Sequence, residues 1–125
     1  MTEAGGPATQ AGIFYQNGVA ALYLGRMLDL RPRPARDRVV HVRVEAPEAV
    51  DDTVVRMADG ARRFLQAKLA LAPRGAAWIG LWRNFAAQLA KPDFAADDTL
   101  ALVVGEHTAA IGDLRACCER ALSAA

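Results

Sequence analysis

The middle of the chain alternates apolar and polar residues with a period of two, which predicts β-strands. In Val39 to Glu45 the valines at even positions face one way and the polar residues the other. Asp52 to Met57 and the stretch Phe64 to Lys68 follow, and the turn signal Asp59-Gly60 lies between them. These three segments predict a three-stranded meander, whose first connection is 46–51.

Helical periodicity flanks the meander. Gly12 to Leu30 is apolar around most of its circumference, so we expect a largely buried helix. Ala77 to Lys91 has an aromatic stripe expected to pack on the sheet, Thr99 to Val104 is a buried strand, and Thr108 to Ser123 is a helix with Cys118 in its inner line. The order α-β-β-β-α-β-α predicts an α/β sandwich around a mixed sheet.

Composition limits the chain to one domain. Its 125 residues, 53% of them hydrophobic, can bury one core but are too few for two ordinary domains. Met1 to Ala11 lack periodicity and are expected to be a flexible leader, which leaves 12–125 as the domain. No secretory signal or membrane-spanning run is present, and the adjacent Cys117 and Cys118 suit neither a disulfide nor a metal-ligand pair. We expect a soluble, cytoplasmic protein.

Charge excludes a global attraction to polyanions. The 15 basic and 14 acidic residues nearly cancel, so nucleic-acid contact would need a local patch. The loop Arg31 to Arg38 carries several arginines that could meet phosphates, although a solvated loop is the favoured interpretation.

Polar residues interrupt the third predicted strand. Gln66 and Lys68 share one face with Phe64, and strand pairing could bring Glu45 and Asp52 to the same point. That point would hold two acids, an amide and one lysine. The sequence therefore predicts a candidate site where these strands end.

Plainer explanations exist for each of these residues. The pair Asp51-Asp52 could be turn chemistry, and Gln66 and Lys68 could be surface groups on an edge strand. Gln16, an amide near the start of the first predicted helix, could cap backbone groups or meet water instead of joining the site.

With these residues in this order, the chain resembles the PD-(D/E)XK restriction-endonuclease-like superfamily, in the branch that has Q-x-K in place of (D/E)-x-K. More narrowly, it is similar to the N-terminal double-strand DNA endonuclease domain of bacterial anti-phage effectors, of the CBASS and STAND NTPase kinds. The matching motifs are Gly12-Ile13-Phe14-Tyr15-Gln16, Val44-Glu45, Asp51-Asp52-Thr53-Val54 and Leu65-Gln66-Ala67-Lys68. The similarity spans residues 12 to 105.

The resemblance implies Mg²⁺- or Mn²⁺-dependent hydrolysis of double-stranded DNA by an antiviral defence effector, with sensor or NTPase domains following residue 125. The implied metal ligands are Asp52, Glu45, the side-chain oxygen of Gln66 and the backbone carbonyl of Ala67. Lys68 would orient or deprotonate the attacking water, and Gln16 would hydrogen-bond to the group from the first helix.

The chain departs from the superfamily pattern in two respects. Asp51 replaces the proline before the aspartate, so either Asp51 or Asp52 could hold the metal, and we favour Asp52. An amide replaces the acid at Gln66, which, with the neutral charge balance, favours a second hypothesis. In that hypothesis the fold no longer cuts and serves as a module for protein interaction or homo-oligomerisation. The residues leave the choice between DNA and RNA open.

Overall fold

The computed structural model of the protein describes residues 6–45, 48, 50 and 52–124. Within them the chain forms three α-helices and a four-stranded mixed sheet, which confirms the predicted α/β class. The elements are α1 (Gly6–Met27), β1 (Val39–Val44), β2 (Thr53–Met57), β3 (Arg62–Lys68), α2 (Gly75–Leu89), β4 (Thr99–Val104) and α3 (Ala109–Ala124), with a short 3-10 helix (Ala35–Asp37) before β1.

The strands lie side by side in chain order. β1, β2 and β3 form the antiparallel meander, and β4 pairs with β3 in parallel. β3 is therefore an interior strand, and its Gln66 is only 5% exposed. The alternative that placed Gln66 and Lys68 on an edge strand is wrong.

Alternation along β3 divides the core between the two faces of the sheet. Leu65 and Ala67 pack with Val19 of α1 on one face. Phe64 packs with Leu81 and Phe85 of α2 on the other. Gln66 and Lys68 alternate in step with Phe64, so they belong to the α2 face of the sheet.

Helix α1 differs from expectation in its start and its burial. It begins at Gly6, so residues 6–11 of the predicted leader are helical, while residues 1–5 lie outside the described part. Phe14 is 73% exposed and Leu28 80% exposed, so the expectation of a largely buried helix is wrong. The sheet covers only the stripe that contains Tyr15, Val19 and Tyr23. Among the described residues, no helix has the length and apolar character needed to span a membrane.

Helix α3 also buries less than its pattern predicts. Ile111 is buried, but Cys118, expected in the core, is exposed, and Leu122 is 77% exposed. Only the first turns of α3 pack on the rest of the fold. The apolar side chains in the later turns of the helix are therefore exposed. Both cysteines, Cys117 and Cys118, are free thiols.

Candidate active site

The predicted polar residues come together where the strands end. Val44 pairs with Thr53, and Thr53 pairs with Leu65, so the next residues Glu45, Asp52 and Gln66 follow in one row across the sheet. The Glu45 N–H donates to the Asp52 carbonyl oxygen over 3.3 Å, which extends the β1–β2 pairing to this row. The end of β4 adjoins it, since Gln66 pairs with Leu102.

Hydrogen bonds from β3 help to fix the Asp52 carboxylate. Its Oδ2 accepts from the side-chain amide Nε2 of Gln66 and from the backbone N–H of Ala67, both over 2.8 Å. Because β2 begins at Thr53, opposite Leu65, the N–H of Ala67 lies beyond the ladder between the two strands. The aspartate takes the place of a strand partner there, and this local need explains why an acid stands at the start of β2.

The other end of the Gln66 amide is unusual. Its Oε1 is buried, and among the described residues no donor reaches it. A buried acceptor without a partner costs about 1–3 kcal/mol. A water molecule, another donor or a cation would each satisfy such an atom.

Ala67 and Lys68 follow Gln66 at the end of β3, where they contribute a backbone carbonyl and a lysine side chain. The Lys68 carbonyl accepts from Gly105 N–H over 3.0 Å, toward β4. Since the N–H and C=O of one strand residue point to the same neighbour and alternate along the strand, the Ala67 carbonyl points with its N–H toward Asp52. The Lys68 side chain is partly buried, and its ammonium forms no ion pair with a described residue.

Glu45 reaches the row with its backbone but not with its carboxylate. The residue has a φ of 49°, in the left-handed region, which ends β1 at Val44. Its side chain is exposed, and within the described residues it makes no hydrogen bond to Asp52 or Gln66. Its metal-binding role stays a prediction. Asp51, the alternative metal ligand to Asp52, lies outside the described residues.

Gln16 is not joined to the site by a hydrogen bond in this structure. Its helix packs on the face of the sheet opposite Gln66, through Tyr15 and Val19. In the part of the chain that is described, no hydrogen bond links Gln16 to Asp52, Gln66 or Lys68. The sequence alone does not show which face of the sheet the helix that carries Gln16 covers.

A second polar network, missed at the sequence level, anchors the chain just before Asp52. Gln88 of α2 is fully buried; its Oε1 accepts from Val50 N–H over 3.0 Å and its Nε2 donates to Glu48 over 2.9 Å. Lys91 donates to the same Glu48 oxygen over 2.7 Å and, with Gln88, lowers the pKa of Glu48. Gln88 stands seven residues after Leu81 and three after Phe85, so its place on the apolar stripe was the available signal.

The donors at this site are of the kind that a hard cation binds. A carboxylate, an amide oxygen and a backbone carbonyl lie on adjacent residues of two strands, and Mg²⁺ needs only one or two carboxylates besides water and phosphate oxygens. Among the described residues, no group of three or more His, Cys, Asp and Glu side chains is placed to hold a metal ion. A cation here would thus depend on amide and carbonyl oxygens.

Comparison of the chain with protein-family models, curated proteins and solved structures finds no match. What the protein does must therefore be inferred from the groups that meet at the ends of β2 and β3. Their arrangement offers oxygen donors for a cation and a lysine for an anion within a few residues of one another.

Proposed function

We propose that the chain is a divalent-metal-dependent DNA endonuclease domain that hydrolyses phosphodiester bonds at the ends of β2 and β3. One observation carries the proposal. Asp52 is held by the Gln66 amide and the Ala67 N–H, while the buried Oε1 of Gln66 has no partner among the described residues. Lys68 lies on the same face, two residues further along the strand.

The groups that would hold the metal are the Asp52 carboxylate, Gln66 Oε1 and the Ala67 carbonyl. A bound Mg²⁺ or Mn²⁺ polarises a phosphoryl oxygen and makes a water more acidic. Gln66 would give up its hydrogen bond to Asp52 and contribute its oxygen instead, which would also satisfy the acceptor that is buried without a partner. Only one of these three donors carries a charge, so we expect modest affinity for the metal.

Lys68 would act on the substrate. Its ammonium has no described acidic partner, so it is available to contact a phosphate oxygen and the attacking water. A compact cation there offsets the charge that builds up on phosphorus in the transition state. Glu45 stays a proposed participant because it is exposed and lies in the same backbone row as Asp52.

The wider proposal follows the sequence resemblance. A restriction-endonuclease-like fold of the Q-x-K branch would place an acid on β2 and the amide and lysine on β3, an arrangement that the Asp52–Gln66 contact supports. We extend the proposal to an effector of bacterial anti-phage defence, with double-stranded DNA as substrate and sensor or NTPase domains as partners.

Plasmid cleavage tests the proposal directly. The purified chain with supercoiled plasmid and Mg²⁺ or Mn²⁺ should nick or linearise the DNA, and chelation should stop the reaction. Asp52→Asn and Lys68→Ala should each reduce the rate at least roughly 100-fold, as loss of a charge-stabilising group does. Asp113→Asn, which changes an exposed aspartate on α3, should retain wild-type activity. Equal cleavage by all four proteins, or none by the wild type, would contradict the proposal.

A second function, an interaction module without catalysis, is favoured by the outer face of α1. Phe14 and Leu24 are 73% and 49% exposed, and exposed large apolar side chains can mark interaction surfaces. Calorimetric titration separates the two functions, because a module of this kind should bind no Mn²⁺ even when DNA is present.

A further inference from the structure

A cavity lined by arginines lies at the end of the sheet opposite Asp52. It has a volume of about 230 Å³ and lies beside the end of α1, the loop before β1 and the first residues of β3. The charged residues in its wall are Arg26, Arg33, Arg38, Arg63, Asp29 and Asp37. The wall therefore has an excess of two positive charges, whereas the whole chain has a net charge of +1. The near-neutral total conceals a local basic surface.

One of the two acids in this wall is already engaged. Asp29 accepts from Arg31 Nη2 over 2.8 Å and from Arg33 Nη2 over 2.9 Å. Hydrogen bonds from Arg31, and from Arg33, hold the pKa of Asp29 well below its usual range, so the carboxylate stays ionised. Asp29 thus shapes the loop and neutralises part of the charge of Arg31 and Arg33, but it does not reach the other arginines of the cavity.

Arg26, Arg38 and Arg63 have no carboxylate partner among the described residues. The Arg63 guanidinium donates to the backbone carbonyl of Arg36 over 3.4 Å, and the Arg26 guanidinium lies 4.9 Å from the centre of the Tyr23 ring. Unneutralised guanidinium groups around one hollow repel each other, and a bound anion relieves that repulsion. Their planar donors match the oxygens of a phosphate.

The neighbouring residue Arg62 has a different role. It is bonded to Asp98 over 2.9 Å and to Asp93 over 3.3 Å, and its guanidinium is largely buried. Arg62 therefore holds the start of β3 to the segment before β4, and only Arg63 of this pair is available to a ligand.

We propose that this cavity binds a phosphate of a nucleic-acid backbone, at a position separate from the Asp52 site. An adjoining hollow of about 570 Å³ shares Asp29, Arg33 and Arg38 with the cavity and adds Arg31. The cations thus extend along the surface, which suits a chain of phosphates better than a single small anion.

The geometry separates this contact from the proposed site of cleavage. Arg63 precedes Lys68 by five residues on β3, which is about 17 Å along a strand. Arg63 also alternates with Leu65 toward α1, whereas Gln66 and Lys68 are on the α2 face. The arginine surface would hold nucleic acid away from the bond that is cut, and its binding does not depend on a metal.

Binding of a short fluorescent DNA duplex, measured without divalent metal at several salt concentrations, tests the inference. Arg38→Gln and Arg63→Gln should each weaken binding about tenfold, as expected for a charge-assisted hydrogen bond. Each should also reduce the slope of log affinity against log salt by about 0.9. Arg83→Gln, which removes the same charge from an exposed position on α2, should leave both quantities unchanged.

The inference is overturned if the wild type binds no duplex, or if Arg38→Gln and Arg63→Gln bind the duplex as tightly as Arg83→Gln does. Competition by inorganic phosphate at matched ionic strength distinguishes a site for small anions: full displacement at low concentration would overturn the assignment to nucleic acid. Thermal unfolding of each variant checks its fold. The experiment measures binding without metal, so its outcome is independent of cleavage. If the protein binds DNA through these arginines but never cuts it, the nuclease proposal is contradicted and the proposed phosphate-binding surface is supported.

Discussion

At position 66, a buried amide binds a carboxylate through one end and has no described partner at the other. Strand alternation was enough to predict that Gln66 and Lys68 share a face, because that property is local to β3. The orientation of the amide could not be predicted, since it depends on the Asp52 carboxylate from the neighbouring strand. The left-handed backbone of Glu45 was unpredictable for a similar reason: it depends on how β1 ends against β2.

Gln66→Glu tests the environment of this residue. The new carboxylate would face Asp52 in place of a donating amide, so in the presence of a chelator we expect the free energy of unfolding to fall by about 3 kcal/mol. A divalent cation between the two carboxylates should restore much of this loss, which urea unfolding with and without Mn²⁺ would measure. Gln66→Ala is the control, since it should lose stability without recovery in Mn²⁺. Equal responses of the two variants to Mn²⁺ would contradict a cation position between Asp52 and Gln66.

At the scale of elements, the connection between β1 and β2 is held to α2 through Glu48. The pKa of Glu48 is lowered from its ordinary value of 4.5 by Lys91 and Gln88, so the folded state is stabilised while the carboxylate is ionised. This contribution is complete above the unfolded pKa and disappears as the pH falls through the lower, folded pKa. The network should therefore hold the start of β2 most firmly near neutral pH.

Glu48→Gln tests this stabilisation through its pH dependence. We expect the variant to be about 1 kcal/mol less stable than the wild type near neutral pH, and the difference to vanish well below the ordinary pKa of a glutamate. Chemical unfolding across this pH range measures the difference. Glu119→Gln provides the control, because the pair of Glu119 with Arg115 is exposed and should contribute little. A difference that stays constant down to acid pH would contradict the charge-based explanation.

Two glycines should respond to alanine in opposite directions. A Cβ on Gly105 would lie 2.9 Å from the Leu69 carbonyl oxygen and 3.2 Å from Tyr15 Cε1, just beyond Lys68. Gly105→Ala should therefore destabilise the fold by about 1–3 kcal/mol and displace the end of β3. A Cβ on Gly80 in α2 would have no neighbouring atom within 4 Å. Gly80→Ala should therefore stabilise the fold by up to about 1 kcal/mol, because alanine favours the helix. Thermal unfolding of both variants checks these signs, and a neutral Gly105→Ala would contradict the close packing.

Helices were predicted better in position than in burial. The predicted stripe of α2 packs on the sheet through Leu81 and Phe85, whereas Trp82 and Leu89 of the same stripe are 38% and 58% exposed. In α1, apolar residues surround the helix and cannot specify which stripe the sheet covers, so Phe14, and Leu28 just after the helix, were wrongly expected inside. The hydrophobic pattern of a helix shows which side chains it could bury. The area of the neighbouring elements determines which of them are buried in the fold.

At the scale of the whole molecule, the two ends of the sheet have different chemistry. One end gathers the Asp52 carboxylate with the Gln66 amide, and the other gathers arginines from α1, the following loop and β3. Arg26 and Arg63 are far apart in sequence, and only the packing of α1 across the strands brings them to one cavity. The net charge of the chain does not reveal this separation, because it contains no information about where the charged residues lie.

Mn²⁺ titration followed by NMR tests the central claim, a cation site formed by Asp52, Gln66 and Ala67, most directly. Paramagnetic broadening should first remove the Ala67 backbone amide signal and the Gln66 side-chain amide signals, at less than one equivalent of Mn²⁺. Asp52→Asn should retain these signals under the same conditions, and Asp113→Asn should lose them as the wild type does. If the signals of Gln66 and Ala67 persist while others broaden, or if Asp52→Asn behaves as the wild type, the metal site and the nuclease built on it are contradicted.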